Sequence, residues 1–317
     1  MMNSNQQDFG LVSVVIPTHN RCDDLVRAIQ SVTNQTYKNI EVIVVSDGST
    51  DQTDQVMANY PDSRVSYIAY SPAKGGNHAR NVGIQAAKGD FVAFLDDDDE
   101  WMESKVEKQV LALSESQDYG LAYTGVEFIN TFNNKSYTYY SSPSVKGSIS
   151  KQILVTNPIG TTSSVMIRRS LLEQECFDEE MPALQDYELW IRLCQITSIT
   201  PVPEPLVKYY TSFKKNSSTQ ISNNVDKFLN AERQIATKHK NLINQLSPEE
   251  LATRSFNSKM GLVNRYLRNN QGAKVRKICS PYILKKKSAL AYYLLSFFPY
   301  QASVAVKSMK ARPRKVK

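Results

Sequence analysis

Two groups of carboxylates stand at the ends of strand-like runs: Asp47 just after Glu41 to Val45, and Asp96, Asp97, Asp98 and Asp99 directly after Phe91 to Leu95. In an open α/β sheet, ligands settle in the crevice at the carboxyl ends of the strands, so acids at two strand ends could wall one crevice. Four adjacent carboxylates repel one another strongly, and a cation among them would relieve that cost. Hard oxygen ligands suit Mg²⁺ or Mn²⁺, which keep coordination positions open for substrate phosphates. The plainer alternative is an exposed turn whose Asp residues cap a helix starting near Glu103. The loop Lys74-Gly75-Gly76-Asn77-His78-Ala79-Arg80-Asn81 adds the opposite sign of charge. Its glycines let backbone N–H groups approach a phosphate at a helix N-terminus, and Arg80 brings a delocalised cation. Alone, the glycine pair could be an ordinary turn and Arg80 a surface ion-pair partner. Taken together, the acids and the cation suit a metal-bound diphosphate.

Such residues need a scaffold, and the sequence predicts one. Val12 to Ile16 reads as a strand, Asp23 to Asn34 as a helix with Leu25, Ala28, Ile29 and Val32 on one face, and Glu41 to Val45 as a second strand. A helix over Gln52 to Tyr60, a strand over Val65 to Tyr70, a helix over Ala79 to Ala87 and a strand over Phe91 to Leu95 continue the rhythm. This alternation predicts a parallel sheet with helices on both faces. After the helix Lys105 to Leu113 the rhythm changes, with strand-like pieces at Gly120 to Ile129, Ser136 to Tyr140, Thr162 to Ile167 and Leu206 to Thr211, so the sheet should become mixed. A helix is expected over Tyr187 to Thr197, and beyond about Ser218 the chain reads as polar and helical. The expected organisation is a flexible stretch over 1–10, an α/β domain over 11–218, and a helical region with a basic tail over 219–317.

The 317 residues, 41% hydrophobic and 22% charged, suffice for a full core and exclude a disordered polymer. Cys22, Cys176, Cys194 and Cys279 lack Cys-x-x-Cys spacing, which argues against a zinc ribbon or disulfide framework and for reduced thiols. The polar first ten residues do not resemble a secretion signal, and no run approaches the roughly 18 apolar residues of a spanning helix. A cytoplasmic protein is expected. The net charge of +7 gathers near the end, at Lys285 to Lys287 and from Lys307 to Lys317. Between these clusters, Ala289 to Val306 carries Tyr292, Tyr293, Leu294, Leu295, Phe297 and Phe298, which favours an anionic membrane surface over nucleic acid as a partner. A last core helix followed by a solvated tail is the alternative.

Five segments in order resemble the signature of glycosyltransferase family 2: Val14 to Arg21; Ser31-Val32 with Asn34 to Tyr37; Asp47 to Asp51; Ala79-Arg80-Asn81 with Gly83; and Phe94 to Asp99 followed by Trp101. The resemblance covers about residues 10 to 212 and implies inverting enzymes of the GT-A fold that use nucleotide-sugar donors. Position by position it implies that Pro17, Thr18, His19, Asn20, Arg21 and Asp47 hold the nucleotide, with Asp47 accepting the N3–H of uracil. It places Gly75 and Arg80 in the donor pocket, Asp96 and Asp97 at ribose and metal, and Asp98 as principal ligand of Mn²⁺ or Mg²⁺. Phe177-Asp178-Glu179 and Gln185 to Leu193 resemble the segment carrying the family's catalytic base, and Asp186 takes that position. Holding the first amides of its helix would be the structural alternative for Asp186.

Departures also stand out. Ser46, Ala73 and Gln185 replace the family's frequent Asp, Asn and Glu, and Gln185 removes a like charge that would raise the Asp186 pKa. Tyr209 to Lys215 replaces a Tyr-Arg-x-His segment, leaving Lys214 or Lys215 to supply a cation on the phosphate side. His78 and His239 read as ordinary surface or packing residues, and Trp101 and Trp190 as core. The expected reaction moves a sugar from a UDP-sugar to a hydroxyl of a glycan or lipid-linked glycan. A module that keeps the fold and the nucleotide or glycan binding but lacks chemistry is the alternative drawn from those departures. A nucleotidyltransferase would need a glycine-rich loop after the first strand, and Pro17 to Arg21 has no glycine.

Overall fold

The structure, a computed structural model, describes residues 9–132, 135–212 and 224–310. In chain order it begins β1 (Val12–Thr18), α1 (Cys22–Thr33), β2 (Ile40–Asp47), α2 (Thr53–Ala58), β3 (Val65–Tyr70), α3 (Gly76–Ala86), β4 (Phe91–Phe94), β5 (Glu100–Trp101) and α4 (Lys105–Ser114). There follow β6 (Tyr119–Phe132), β7 (Lys135–Tyr140), α5 (Gln152–Val155), β8 (Val165–Arg168), α6 (Arg169–Leu172), α7 (Gln185–Ile196) and β9 (Ser198–Ser212). The remaining helices are α8 (Val225–Lys238), α9 (Lys240–Ile243), α10 (Pro248–Arg268), α11 (Gly272–Cys279), α12 (Lys287–Leu295) and α13 (Tyr300–Lys310).

One mixed sheet runs β3-β2-β1-β4-β8-β6-β9-β5, with β7 paired to β6. Its first four strands are parallel, and β8 enters antiparallel between β4 and β6. Both faces are covered. Val14 and Ile16 of β1 pack with Leu25, Ile29 and Val32 of α1 and Val106 and Val110 of α4 on one side, while Val15 packs with Ala79 of α3 and Trp190 of α7 on the other. Burial on both faces explains why these strands read as nearly unbroken apolar runs. Each such side chain contributes about 1.5–3 kcal/mol when withdrawn from water.

Differences from the expected elements cluster in the second half. The strand expected from Thr162 opens instead with a 3₁₀ turn over Thr162–Ser164. The last strand is much longer than the sequence indicated, because Pro201, Pro203 and Pro205 obscure its first half; it pairs with β6 through irregularities near Gly125. The acidic run is not an exposed helix cap. Asp97 and Asp99 are 5% and 0% exposed, the chain continues into β5, and α4 starts from Ser104 without a side-chain cap.

The C-terminal helices close over the carboxyl edge of this sheet. Ala231 and Ile235 of α8 join the core beside α7, and His239 Nε2 lies 3.1 Å from Glu188 Oε1 of α7. Helix α10 opens with a capping box between Ser247 and Glu250 and is tied to α5 by Asn257 donating to the Val155 carbonyl at 2.9 Å. Its Val263 and Leu267 share an apolar cluster with Val275, Cys279, Ala289 and Val304, against which Tyr137 of β7 packs.

Gly83 sets the spacing of α3 on β1: a Cβ there would sit 2.2 Å from Val15 Cγ1. Gly83→Ala should therefore destabilise the protein by about 1–3 kcal/mol through overpacking, and Val15→Ala in the same chain should recover part of that loss, read as paired denaturation midpoints.

Candidate active site

The acidic run is held by two arginines. Arg21 NH1 donates to Asp97 Oδ1 at 2.9 Å and to Asp98 Oδ2 at 2.8 Å, and Arg80 NH2 donates to Asp96 Oδ1 at 2.6 Å. Thr18 Oγ1 donates to the second Asp97 oxygen at 2.8 Å. Behind them, Ser163 of the 3₁₀ turn accepts from the Asp96 amide at 3.1 Å and donates to Asp99 Oδ2 at 2.5 Å. Burial raises the pKa of Asp97, Asp98 and Asp99, and for Asp98 and Asp99 the neighbouring Asp96 charge adds to it; Arg21 opposes the shift at Asp97 and Asp98. Burial works against the Arg21 charge as well, but Asp97 and Asp98 outweigh it and push that pKa up.

Asp47 stands at the tip of β2 and organises the glycine loop. Its carboxylate accepts from the Lys74 amide at 2.6 Å and the Gly75 amide at 2.8 Å, and Gly48 beside it takes φ +66° and leaves room for the Ala73 backbone, which a Cβ would strike. His19 Nδ1 lies 2.5 Å from the Asp47 carbonyl, which fixes the loop after β1 against that after β2. The Ala79-Arg80-Asn81 segment divides its work: Arg80 reaches forward to Asp96, while Asn81 exchanges two hydrogen bonds with the Phe177 backbone, at 2.8 and 2.9 Å. That exchange anchors the chain that leads to α7.

Asp186 lies in the first turn of α7. No side-chain cap opens that helix; Leu184 precedes it at φ +55°, a left-handed conformation unusual for leucine that aims the following turn. Burial raises the Asp186 pKa to about 6, with Tyr187 and Arg80 pulling the other way. Desolvation thus supplies the upward pressure that Gln185 does not.

Two chambers share a wall. The first, about 360 Å³, is bordered by Pro17, Thr18, His19, Arg21, Asp47, Gly76, Asp97 and Asp98. The second, about 550 Å³, is bordered by Asp186, Phe128, Tyr139, Arg265 and Tyr300 among others. Arg80, Asp96, Gln185, Tyr209 and Arg268 border both. Of the residues singled out from sequence, Asn20 and Gly75 are exposed and do not line either chamber: Asn20 accepts from the Thr50 amide at 2.7 Å, and Gly75 precedes α3. Gly76 borders the cleft in place of Gly75. Lys214 and Lys215 lie outside the described residues. His78 is paired with Glu179 at 2.9 Å, and Trp101 and Trp190 are core. Sequence reasoning missed Ser163, Arg265, Arg268 and Tyr300 and noted Tyr209 only as part of a departure from the family pattern; Arg265, Arg268 and Tyr300 reach the site from helices after the sheet, and only the spacing of Gly261, Asn264, Arg265 and Arg268 along α10 could have marked the two arginines.

Among the described residues, no three His, Cys, Asp or Glu side chains converge as a ready metal cage. The donor set nevertheless fits Mg²⁺ or Mn²⁺ as those ions are commonly held, by one or two carboxylates together with substrate phosphates, since Asp98 and Asp96 border the cleft with hard oxygens.

An α/β sheet whose parallel strand ends carry paired acids and cations around a two-chambered cleft defines a GT-A-type protein. Structures with the same fold include TarS from S. aureus (TM-score 0.56, 18% identity, covering 95% of this chain and 53% of that one) and the mannosyltransferase PcManGT from Pyrobaculum calidifontis, solved with GDP-Man and Mn²⁺ (TM-score 0.55, 18% identity, 95% and 87%). The description of glycosyl transferase family 2 matches residues 13–175, and the chain belongs to that family. An Escherichia coli relative, the UDP-Glc:alpha-D-GlcNAc-diphosphoundecaprenol beta-1,3-glucosyltransferase WfgD, is 31% identical over 224 residues, covering 71% of this chain and 83% of WfgD. A glycosyltransferase of Rickettsia felis is 33% identical over 207 residues, and the match spans only 34% of its length.

Because Asp47 accepts two amides, Asp47→Asn turns one acceptor into a donor facing an N–H. A loss of about 1–3 kcal/mol in unfolding free energy is expected, measured by denaturant titration.

Proposed function

We propose that this chain is an inverting glycosyltransferase that moves a sugar from a UDP-sugar to a hydroxyl of a glycan or lipid-linked glycan, in the assembly of a bacterial surface polysaccharide. The observation that carries the reading is the separation of the two acidic centres: Asp98 borders one chamber, Asp186 the other, and Arg80 and Asp96 line the junction between them. Inversion needs this arrangement, with the leaving diphosphate on one side of the anomeric carbon and a base on the other. The name of WfgD supports a UDP donor and a lipid-linked acceptor, and the TarS fold has been solved with UDP-GlcNAc bound (TM-score 0.54, 18% identity).

In this reading the loop from Pro17 to Arg21 and the Asp47 tip hold the nucleotide in the first chamber. Asp98, with Asp96, would hold Mn²⁺ or Mg²⁺, which neutralises charge on the departing diphosphate when bound. Arg80 orients Asp96 and directs a cation toward the junction. Asp186 takes the proton from the acceptor hydroxyl in the second chamber. The division of the chain into an α/β unit over 11–218 and a helical region after it belongs to the same proposal, with the helices completing the second chamber.

Among the described residues, no helix is long and apolar enough to cross a membrane. A peripheral role on the inner face of the membrane is part of the proposal. The segment expected to be interfacial forms two helices, α12 and α13, whose inner sides bury Ala289, Tyr300 and Val304 while Leu294, Phe297 and Phe298 stay exposed. Removing the segment would also strip Tyr300 from the second chamber, so point substitutions are the cleaner probe. Phe297→Ser with Phe298→Ser should lower sedimentation with anionic vesicles several-fold; unchanged sedimentation would remove the membrane from the account.

The function itself is tested with Asp186→Asn. A positioned base contributes roughly 10²–10⁴-fold, so transfer from UDP-sugars should fall by that order while UDP binding persists. In the wild type, kcat/KM should rise with pH through about 6 as Asp186 loses its proton and becomes able to accept another. Nucleotide binding with no turnover of any donor would favour a binding module instead.

A further inference from the structure

Three arginines, Arg80, Arg265 and Arg268, line the second chamber against two carboxylates, Asp96 and Asp186, and Arg80 is already paired with Asp96. Gly261, Asn264, Arg265 and Arg268 recur along α10 at spacings of three and four, so they share one helical face, and that face borders the chamber opposite Asp186. None of the partners of Arg265 is anionic. Its NH1 donates to the Gly261 carbonyl at 3.1 Å, its guanidinium carbon lies 3.8 Å from the centre of the Phe228 ring, and its Nε is buried without a hydrogen-bond partner. Burial, and then the charge of Arg268, push the Arg265 pKa down to about 10, with Glu232 and Asp186 offsetting part of the shift. A desolvated guanidinium beside a second one, with a donor unmet, is costly to hold unless an anion joins it.

We propose that Arg265 and Arg268 form a phosphate subsite for the acceptor, so that the sugar offering its hydroxyl to Asp186 carries a phosphate or diphosphate ester gripped by these two side chains. The assignment rests on the second chamber being the acceptor side. Two forked donors one helical turn apart match the oxygens of a diphosphate better than a single carboxylate, which one guanidinium would satisfy. Arg268 also borders the donor chamber and Arg265 does not, so Arg265 separates acceptor recognition from donor recognition.

The test uses the full chain saturated with UDP, so that the donor chamber is occupied. Calorimetry compares octyl N-acetylglucosaminyl diphosphate with octyl N-acetylglucosaminide, which lacks the phosphates. The diphosphate should bind at least about tenfold more tightly, a ratio worth about 1.4 kcal/mol. In Arg265→Gln the ratio should fall below about threefold, and Arg265→Lys, which keeps charge but not the fork, should lie between. Melting temperatures show whether each variant is folded, and the Lys variant carries the comparison if the Gln variant is not. Equal affinity for the two probes in the wild type, or an undiminished ratio in a folded variant, would overturn the subsite. An intact ratio in a protein that turns over no donor would sink the transferase reading and leave the subsite standing.

Discussion

Carboxylates crowded at the end of a buried strand must be neutralised, and the architecture of this protein follows from how that is done. Desolvation and mutual repulsion both disfavour charge on Asp97, Asp98 and Asp99. Arg21 arrives from the loop after β1 and Arg80 from the first turns of α3, so two separate strand-to-helix connections must converge on the tip of β4. That convergence requires close packing of α3 on β1, for which Gly83 leaves room, and a glycine loop held by Asp47. The cluster that could hold a metal-bound diphosphate is thus also the point where the parallel half of the sheet is cross-braced.

The antiparallel half and the C-terminal helices build the other side of the cleft. Ser163, carried on the 3₁₀ turn before β8, braces the acidic tip from behind, and the Asn81 exchange with Phe177 steers the chain toward Asp186. Helix α10 then brings Arg265 and Arg268 across the opening, and Tyr300 of α13 closes the chamber. Charge in the cleft therefore alternates in space, acids at the strand tips and guanidiniums around them, which suits substrates whose anionic parts must be held apart from the hydroxyl that reacts.

Much of this was legible from the residues alone. The β1 to β4 rhythm, the acids at two strand tips and the family resemblance located the first chamber, because local patterns and strand-end positions determine it. Asp47 illustrates what was not: the family resemblance implied a contact with the nucleotide base, whereas its backbone partners, Lys74 and Gly75, depend on a loop conformation the sequence does not display. Arg265, Arg268 and Tyr300 were invisible as site residues because their placement depends on how α10 and α13 dock on β7 and α5, a tertiary matter. His239, read from sequence as a surface or packing residue, is a buried partner of Glu188 that joins α8 to α7. The first half of β9 was hidden by three prolines, which a pairing with irregular register accommodates.

Diffraction from crystals soaked with UDP and Mn²⁺ tests the central claim most directly. The account predicts an anomalous peak about 2.1 Å from an Asp98 carboxylate oxygen, with the diphosphate between that ion and Arg80 and the uracil against Asp47. A nucleotide bound away from the strand tips, or one seated there with no ion beside Asp98, would contradict it.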